Sequence, residues 1–172
     1  MEYTFHTKYD TAAVTAMARG LRKTSRSKKS KRSHIFGWIM IILVVLLSLP
    51  REDTYVIDLN RIITWLAAAA IMFALLFEDR LNGLIAKKRM LPGLLSSTTT
   101  FTAESYCSVT EVGTSEFSYD NIVALAETDR YSIFIFSKNH AQVYDKLSIS
   151  GGSCDDFSAF ISRITALRVQ KV

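Results

Sequence analysis

Ile35-Phe36-Gly37-Trp38-Ile39-Met40-Ile41-Ile42-Leu43-Val44-Val45-Leu46-Leu47-Ser48-Leu49 is a run of fifteen residues without a charge, closed by Pro50. A second uncharged run of sixteen extends from Ile62 to Phe77, and the polar connection between them carries Arg51, Glu52, Asp53, Asp58 and Arg61. The two runs read as a transmembrane helical hairpin. Each is shorter than the about 20 apolar residues a span ordinarily takes, and runs of about 10–14 are more often core helices of soluble proteins. Three features favour lipid. Both runs are apolar on every face rather than along one stripe. Ser33, His34, Leu59 and a snorkelling Arg61 lengthen the helices, while Trp38 and Trp65 fall near opposite interfaces, as aromatic belts require. The third feature is charge.

The net charge of +5 on 172 residues is local. Residues 1–33 hold nine Lys or Arg against Glu2 and Asp10, a balance of +7, and the rest of the chain sums to −2. The high isoelectric point is therefore no argument for nucleic acid as a partner. Arg26, Lys28, Lys29, Lys31 and Arg32 precede the first run, and Arg80, Lys87, Lys88 and Arg89 follow the second. Cytoplasmic flanks carry such an excess, so both termini are expected in the cytoplasm of a two-span cell-membrane protein. The same basic segment is suited to anionic membrane lipids, at about 1 kcal/mol per cation near the surface. A secretory leader fits the first run less well, because Ser48-Leu49-Pro50 is a poor cleavage site.

Glu2 to Thr7 alternates as one short strand, and an isolated strand is unstable, so it is expected to join a sheet formed later in the chain. Asp10 is a candidate N-cap. Val14, Met17, Ala18 and Leu21 then recur at helical spacing over 11–23, a helix suited either to the membrane surface or to the domain behind it. Beyond Phe77 the stripe Leu81, Leu84 and Ile85 continues a helix until Leu91-Pro92-Gly93. Ser96 to Thr100 reads as a linker or the start of an edge strand. Six strands are predicted: 100–103, 106–111, 115–118, 122–127, 131–136 and 142–147. Ser153, with Asp156 three residues on, resembles a capping box. Phe157, Phe160, Ile161, Ile164 and Leu167 give the final helix one apolar face, which needs a sheet to cover. The expected fold class is membrane α+β: a two-helix transmembrane hairpin plus a cytoplasmic antiparallel β-sheet capped by a C-terminal α-helix.

Phe117-Ser118-Tyr119-Asp120-Asn121-Ile122, then Glu127-Thr128 and Tyr131 to Phe136, resembles the C-terminal part of the YcxB-like family. Those are small bacterial membrane proteins with two spans and a pleckstrin-homology-like (PH-like) sheet-plus-helix domain. Members carry a Pro-Lys-Arg-like element before the last helix; here Tyr144-Asp145-Lys146-Leu147 keeps only Lys146. The resemblance implies a partly open PH-like barrel and no established enzymatic activity. It divides the chain into an N-terminal strand, helix and basic juxtamembrane segment (1–33), a first span (34–50), a short extracytoplasmic loop (51–60), a second span with a cytoplasmic extension (61–92) and the PH-like domain (93–172).

Little in the sequence points to catalysis. His6, His34 and His140 have no carboxylate or cysteine at ligand-like spacing, and there is no HExxH, phosphate-cradling glycine loop or nucleophile elbow. Cys107 and Cys154 are expected as reduced, mostly buried thiols. Gly151-Gly152 is a turn, Glu127 and Asp129 read as solvated turn residues, and Lys146 is either surface charge or a contact for a partner. No enzyme, cofactor or metal is expected. The leading expectation is a membrane-anchored module that binds an unidentified protein partner at the inner face. Residues 100–172 sum to −3, which disfavours a lipid-headgroup ligand unless the few cations converge. Toxin immunity is the third reading, and the small surfaces at Gly37 and Ala67–Ala70 allow a homo-oligomer.

Overall fold

The structure, a computed structural model, describes residues 2–48, 59–90 and 94–172. The expected loop residues 51–58 and the Leu91-Pro92-Gly93 stop lie outside the described residues. In chain order the elements are β1 (Tyr3–Lys8), α1 (Thr11–Lys23), α2 (Ser27–Leu47), α3 (Leu59–Leu76), α4 (Glu78–Lys88), β2 (Ser96–Phe101), β3 (Tyr106–Thr110), β4 (Gly113–Phe117), β5 (Ala124–Glu127), β6 (Tyr131–Ile135), β7 (Ala141–Asp145), α5 (Cys154–Thr165) and β8 (Val169–Lys171).

The single antiparallel sheet expected from sequence is two sheets, each of four strands and neither closed into a barrel. One runs β1-β2-β3-β4 and is antiparallel throughout. The other runs β7-β6-β5-β8, and its last pair is parallel, with Leu125 opposite Val169. The first strand does pair with one formed much later: Tyr3 lies opposite Phe101 and Lys8 opposite Ser96. The hairpin is thus an insertion between two neighbouring strands. The Ser/Thr run at 96–100 is part of β2, because alternate hydroxyls satisfy one another where the strand is buried: Thr99 Oγ1 donates to Ser108 Oγ at 3.1 Å.

Period-2 alternation turns Tyr3, Phe5 and Thr7 of β1 inward. They meet an aromatic core with Phe101 at its centre, its ring 4.9 Å from Phe157, 5.0 Å from Tyr106 and 5.1 Å from Tyr144. Aromatic pairs at such separations add about 0.5–1.5 kcal/mol beyond area burial. α5 closes that core with Phe157, Phe160 and Ile161, after a capping box in which Ser153 and Asp156 exchange hydrogen bonds. The corner between the sheets is held where the Asp145 N–H donates to Thr7 Oγ1 at 3.1 Å.

β6 is buried along its whole length because both faces are covered. Phe134 faces the aromatic core, whereas Ile133 and Ile135 face α1. α1 is therefore packed on the sheet. Its small residues Ala13, Ala16 and Gly20 are buried, and a methyl group added at Gly20 would lie 3.0 Å from Ile133. Asp10 caps the helix, accepting the Ala13 N–H at 2.7 Å. α4 in turn lies on α1 so closely at Gly83 that an added Cβ would sit 2.9 Å from the Thr15 Cα.

α2 and α3 are long and apolar enough to cross a membrane, and only 6% of each apolar window is buried. That figure separates them from core helices. Gly37 is used inside the hairpin, where its backbone meets Leu75, and Ala68 is the buried residue of α3. Since Gly37 abuts Leu75, Trp38 stands at that end of α3, while Trp65, ten residues earlier, lies about 15 Å away along the axis, half the about 30 Å of a hydrocarbon core, so the two rings are too close to mark opposite interfaces. Both rings are exposed, and Arg61 occupies the first turn of α3.

Candidate functional site at the foot of the hairpin

Three helices converge where the apolar rods meet the folded unit. Backbone hydrogen bonding passes through Phe77, with the Leu81 N–H donating to its carbonyl at 2.9 Å, so α4 follows α3 after a local irregularity. Glu78 and Asp79 then open α4, where acids complement the helix dipole. They also serve as anchors. The Arg22 guanidinium of α1 grips Asp79 with two bonds, Nε to Oδ1 at 2.5 Å and Nη2 to Oδ2 at 2.7 Å. Arg19 adds a looser contact to Asp79 at 3.5 Å. Glu78 accepts from Ser30 Oγ at 3.2 Å and lies 2.7 Å from His34 Nε2, both on α2. The bidentate bond to Asp79 pushes the Arg22 pKa further up. The network ties the start of α4 to both α1 and α2.

Beside this network lies an open cleft of about 850 Å³ between the end of α1, the first turns of α2, the outer face of α4 and the β6–β7 turn. Arg26, Lys28, Lys29, Arg89 and Lys138 line it, and among the described residues none of the five forms an ion pair. Its lining acid, Glu78, is already engaged by His34 and Ser30. Arg26 is held in place by neutral acceptors, donating to the Lys138 carbonyl at 2.6 Å and to Asn139 Oδ1. Its charge is oriented without being neutralised. Met17, Leu21 and Ile85 supply an apolar wall.

The basic residues expected to act together separate into groups. Arg26, Lys28, Lys29 and Arg89 share the cleft, while Lys31 and Arg32 are exposed outside it. Lys87 donates to Thr11 Oγ1 at 3.3 Å, and Lys88 is exposed. Lys146, a candidate partner contact, is only 15% exposed and donates to Glu127 Oε2 at 2.8 Å and to the Thr128 carbonyl at 2.9 Å. Glu127 is accordingly part of an internal tie between β5 and the turn after β7, and is not a solvated turn residue. Cys107 and Cys154 are free thiols, half-exposed rather than buried. Lys138 was not singled out from sequence, since a lone lysine in a turn carries no signal until the fold brings it to α2. Glu78-Asp79 did leave a trace: two acids directly after an apolar run, on its basic side.

Among the described residues no three His, Cys, Asp or Glu side chains come together as a metal site. The buried phenols Tyr106 and Tyr144 both donate to Gln142 Oε1, at 3.4 and 2.5 Å, and burial pushes their pKa values up. They are core groups, held neutral. Comparison with protein-family models, with curated proteins and with solved structures finds no match.

Proposed function

We propose that this chain is a two-span membrane protein that holds a non-catalytic binding module at the cytoplasmic face, with the foot of the hairpin as its functional surface. The observation that carries the reading is the pairing of β1 with β2 across the inserted hairpin. Two strands hydrogen-bonded to each other lie on one side of any bilayer, so the apolar rods between them cross it an even number of times or not at all. Their exposure favours two crossings over none. In water, exposed faces of this size drive association, whereas lipid accepts helices that are apolar on every side. The basic residues at both ends of the hairpin favour the cytoplasm for the folded unit. A meander of β1 to β4, a second sheet and a terminal helix agree with the PH-like layout of the YcxB-like family, which stands here as part of the proposal.

The chemistry of the foot also bears on what the module holds. The balance of −3 over residues 100–172 disfavours an anionic ligand only if that span makes the binding surface. Four of the five cations that line the cleft without an ion pair among the described residues come from outside it. An anionic ligand, lipid or protein, therefore fits the foot better than that count implies. The test is carbonate extraction of membranes from cells producing the full chain, with protease-accessible tags at each terminus. The expected result is a chain retained in the membrane, with both tags protected in intact cells. Release by carbonate, or a tag cleaved from outside, overturns the reading.

A further inference from the structure

We propose that the cleft at the foot of the hairpin binds the phosphate of an anionic lipid headgroup, an inference that rests on the membrane reading above. Four observations converge. The first is charge: Arg26, Lys28, Lys29, Arg89 and Lys138 surround one cleft of about 850 Å³ and none forms an ion pair among the described residues. Five like charges gathered around one opening repel one another, and an anion relieves that repulsion. The second is geometry. Arg26 is positioned by its bonds to the Lys138 carbonyl and Asn139, so a planar donor is set before any ligand arrives, the arrangement that suits a phosphate.

The third observation is height. Lys29 is six residues before Ile35 on the same helix, hence about 9 Å below the start of the apolar run. The headgroup layer is about 5–8 Å thick on each side of the hydrocarbon, so a lysine side chain at that depth reaches phosphates. The apolar runs are also short for a bilayer, and a short span thins the membrane around it, drawing the inner headgroups toward the cleft. The fourth is the lining. Met17, Leu21 and Ile85 form an apolar wall beside the cations, which fits an amphiphile. Among the described residues no aromatic side chain lines the cleft, so bases of single-stranded nucleic acid have nothing to stack on.

The experiment uses the full chain in non-ionic detergent, with bound lipid counted by native mass spectrometry during titration with short-chain phosphatidic acid. Short-chain phosphatidylcholine, inorganic phosphate and a polyglutamate peptide form the comparison arms. Lys28→Glu combined with Lys29→Glu alters two exposed residues inside the cleft. The control is Lys31→Glu combined with Arg32→Glu, the same change of charge on the same helix outside the cleft. The cleft variant should lose at least about tenfold in affinity for phosphatidic acid, and the control, outside the cleft, less than about threefold. Phosphatidylcholine should bind weakly to all forms, and binding as tight as that of phosphatidic acid overturns the headgroup charge as the cause. Equal losses in the two variants overturn the site in favour of diffuse attraction. Competition by inorganic phosphate at equal concentration overturns the lipid as source, and displacement by polyglutamate at equal concentration overturns it in favour of an acidic protein. Membrane retention is scored separately by carbonate extraction, so a chain that stays in the membrane yet fails the titration defeats this inference alone.

Discussion

Ile133 and Ile42 are the same residue in opposite situations. Ile133 is fully buried on β6 beneath α1, whereas Ile42 is 56% exposed on α2. The folded unit hides its apolar residues from water by wrapping helices and sheets around them, and the hairpin leaves them uncovered. The contrast teaches that composition alone does not separate the two regions, because both are rich in Ile, Leu, Val and Phe. Arrangement does: alternation and one-sided stripes in one, unbroken apolarity in the other.

The sharpest way to break this comparison is the same truncation in both places. Ile133→Ala should destabilise the folded unit by about 2–5 kcal/mol, since it removes transfer energy and leaves a cavity. Ile42→Ala should change its stability by less than about 0.5 kcal/mol. Urea unfolding of the full chain in detergent, followed by near-ultraviolet circular dichroism, reads both. Equal effects would mean that α2 packs in a protein core.

A smaller effect is expected at the joint. Asp79→Ala leaves the Arg22 guanidinium without its bidentate partner in a half-buried place and should cost roughly 1–3 kcal/mol. Hydrogen exchange in α4 should rise with it. If α4 stays as protected as before, the network does not hold α4 to α1. Lys28→Glu, in the first turn of α2, should instead leave stability unchanged or raise it by up to about 1 kcal/mol, because it breaks no ion pair among the described residues, removes a like charge from the cleft and puts an acid at a helix N-terminus.

Alkali sharpens the contrast through the phenols of the folded unit. Burial raises Tyr106 and Tyr144, and pushes Tyr119 up to about 12. Below about pH 10, the ordinary phenol value, folded and unfolded chains both keep these protons and stability is intact. As the pH rises from about 10 through about 12 the unfolded chain loses them first and binds fewer protons, so stability falls. The unfolding midpoint should drop across that window while helix content from the hairpin, measured in detergent, persists. The smallest change is expected at Tyr131, whose buried hydroxyl has no hydrogen-bond partner among the described residues. Tyr131→Phe should be neutral or stabilise by up to about 1 kcal/mol, checked by the same urea midpoint.

Much of the fold was legible because single elements announce themselves. Asp10 begins α1 and Ser153 begins α5 where capping chemistry places them, and the β-branched and aromatic run at Tyr131 is β6. β8 was missed, since three residues hold no periodicity and Val169–Lys171 becomes a strand only by lying against β5. The division into two sheets was equally hidden, because it depends on the corner between Thr7 and Asp145, far apart in sequence. For the site, the basic runs were visible and their grouping was not. Lys31 and Lys29 look alike in sequence, and only the helical turn puts one in the cleft and the other outside it.

The insertion of the hairpin between β1 and β2 has a consequence for biogenesis. A ribosome delivers β1 more than eighty residues before the neighbour it must hydrogen-bond. Until Phe101 emerges, Tyr3 and Phe5 have no core to enter, so the nascent unit waits on synthesis of everything between. On the two-span reading proposed above, a chain threaded only once would strand its first segment on the wrong side and leave the sheet without an edge. On the proposed two-span reading, completion of the sheet then requires that both crossings be made.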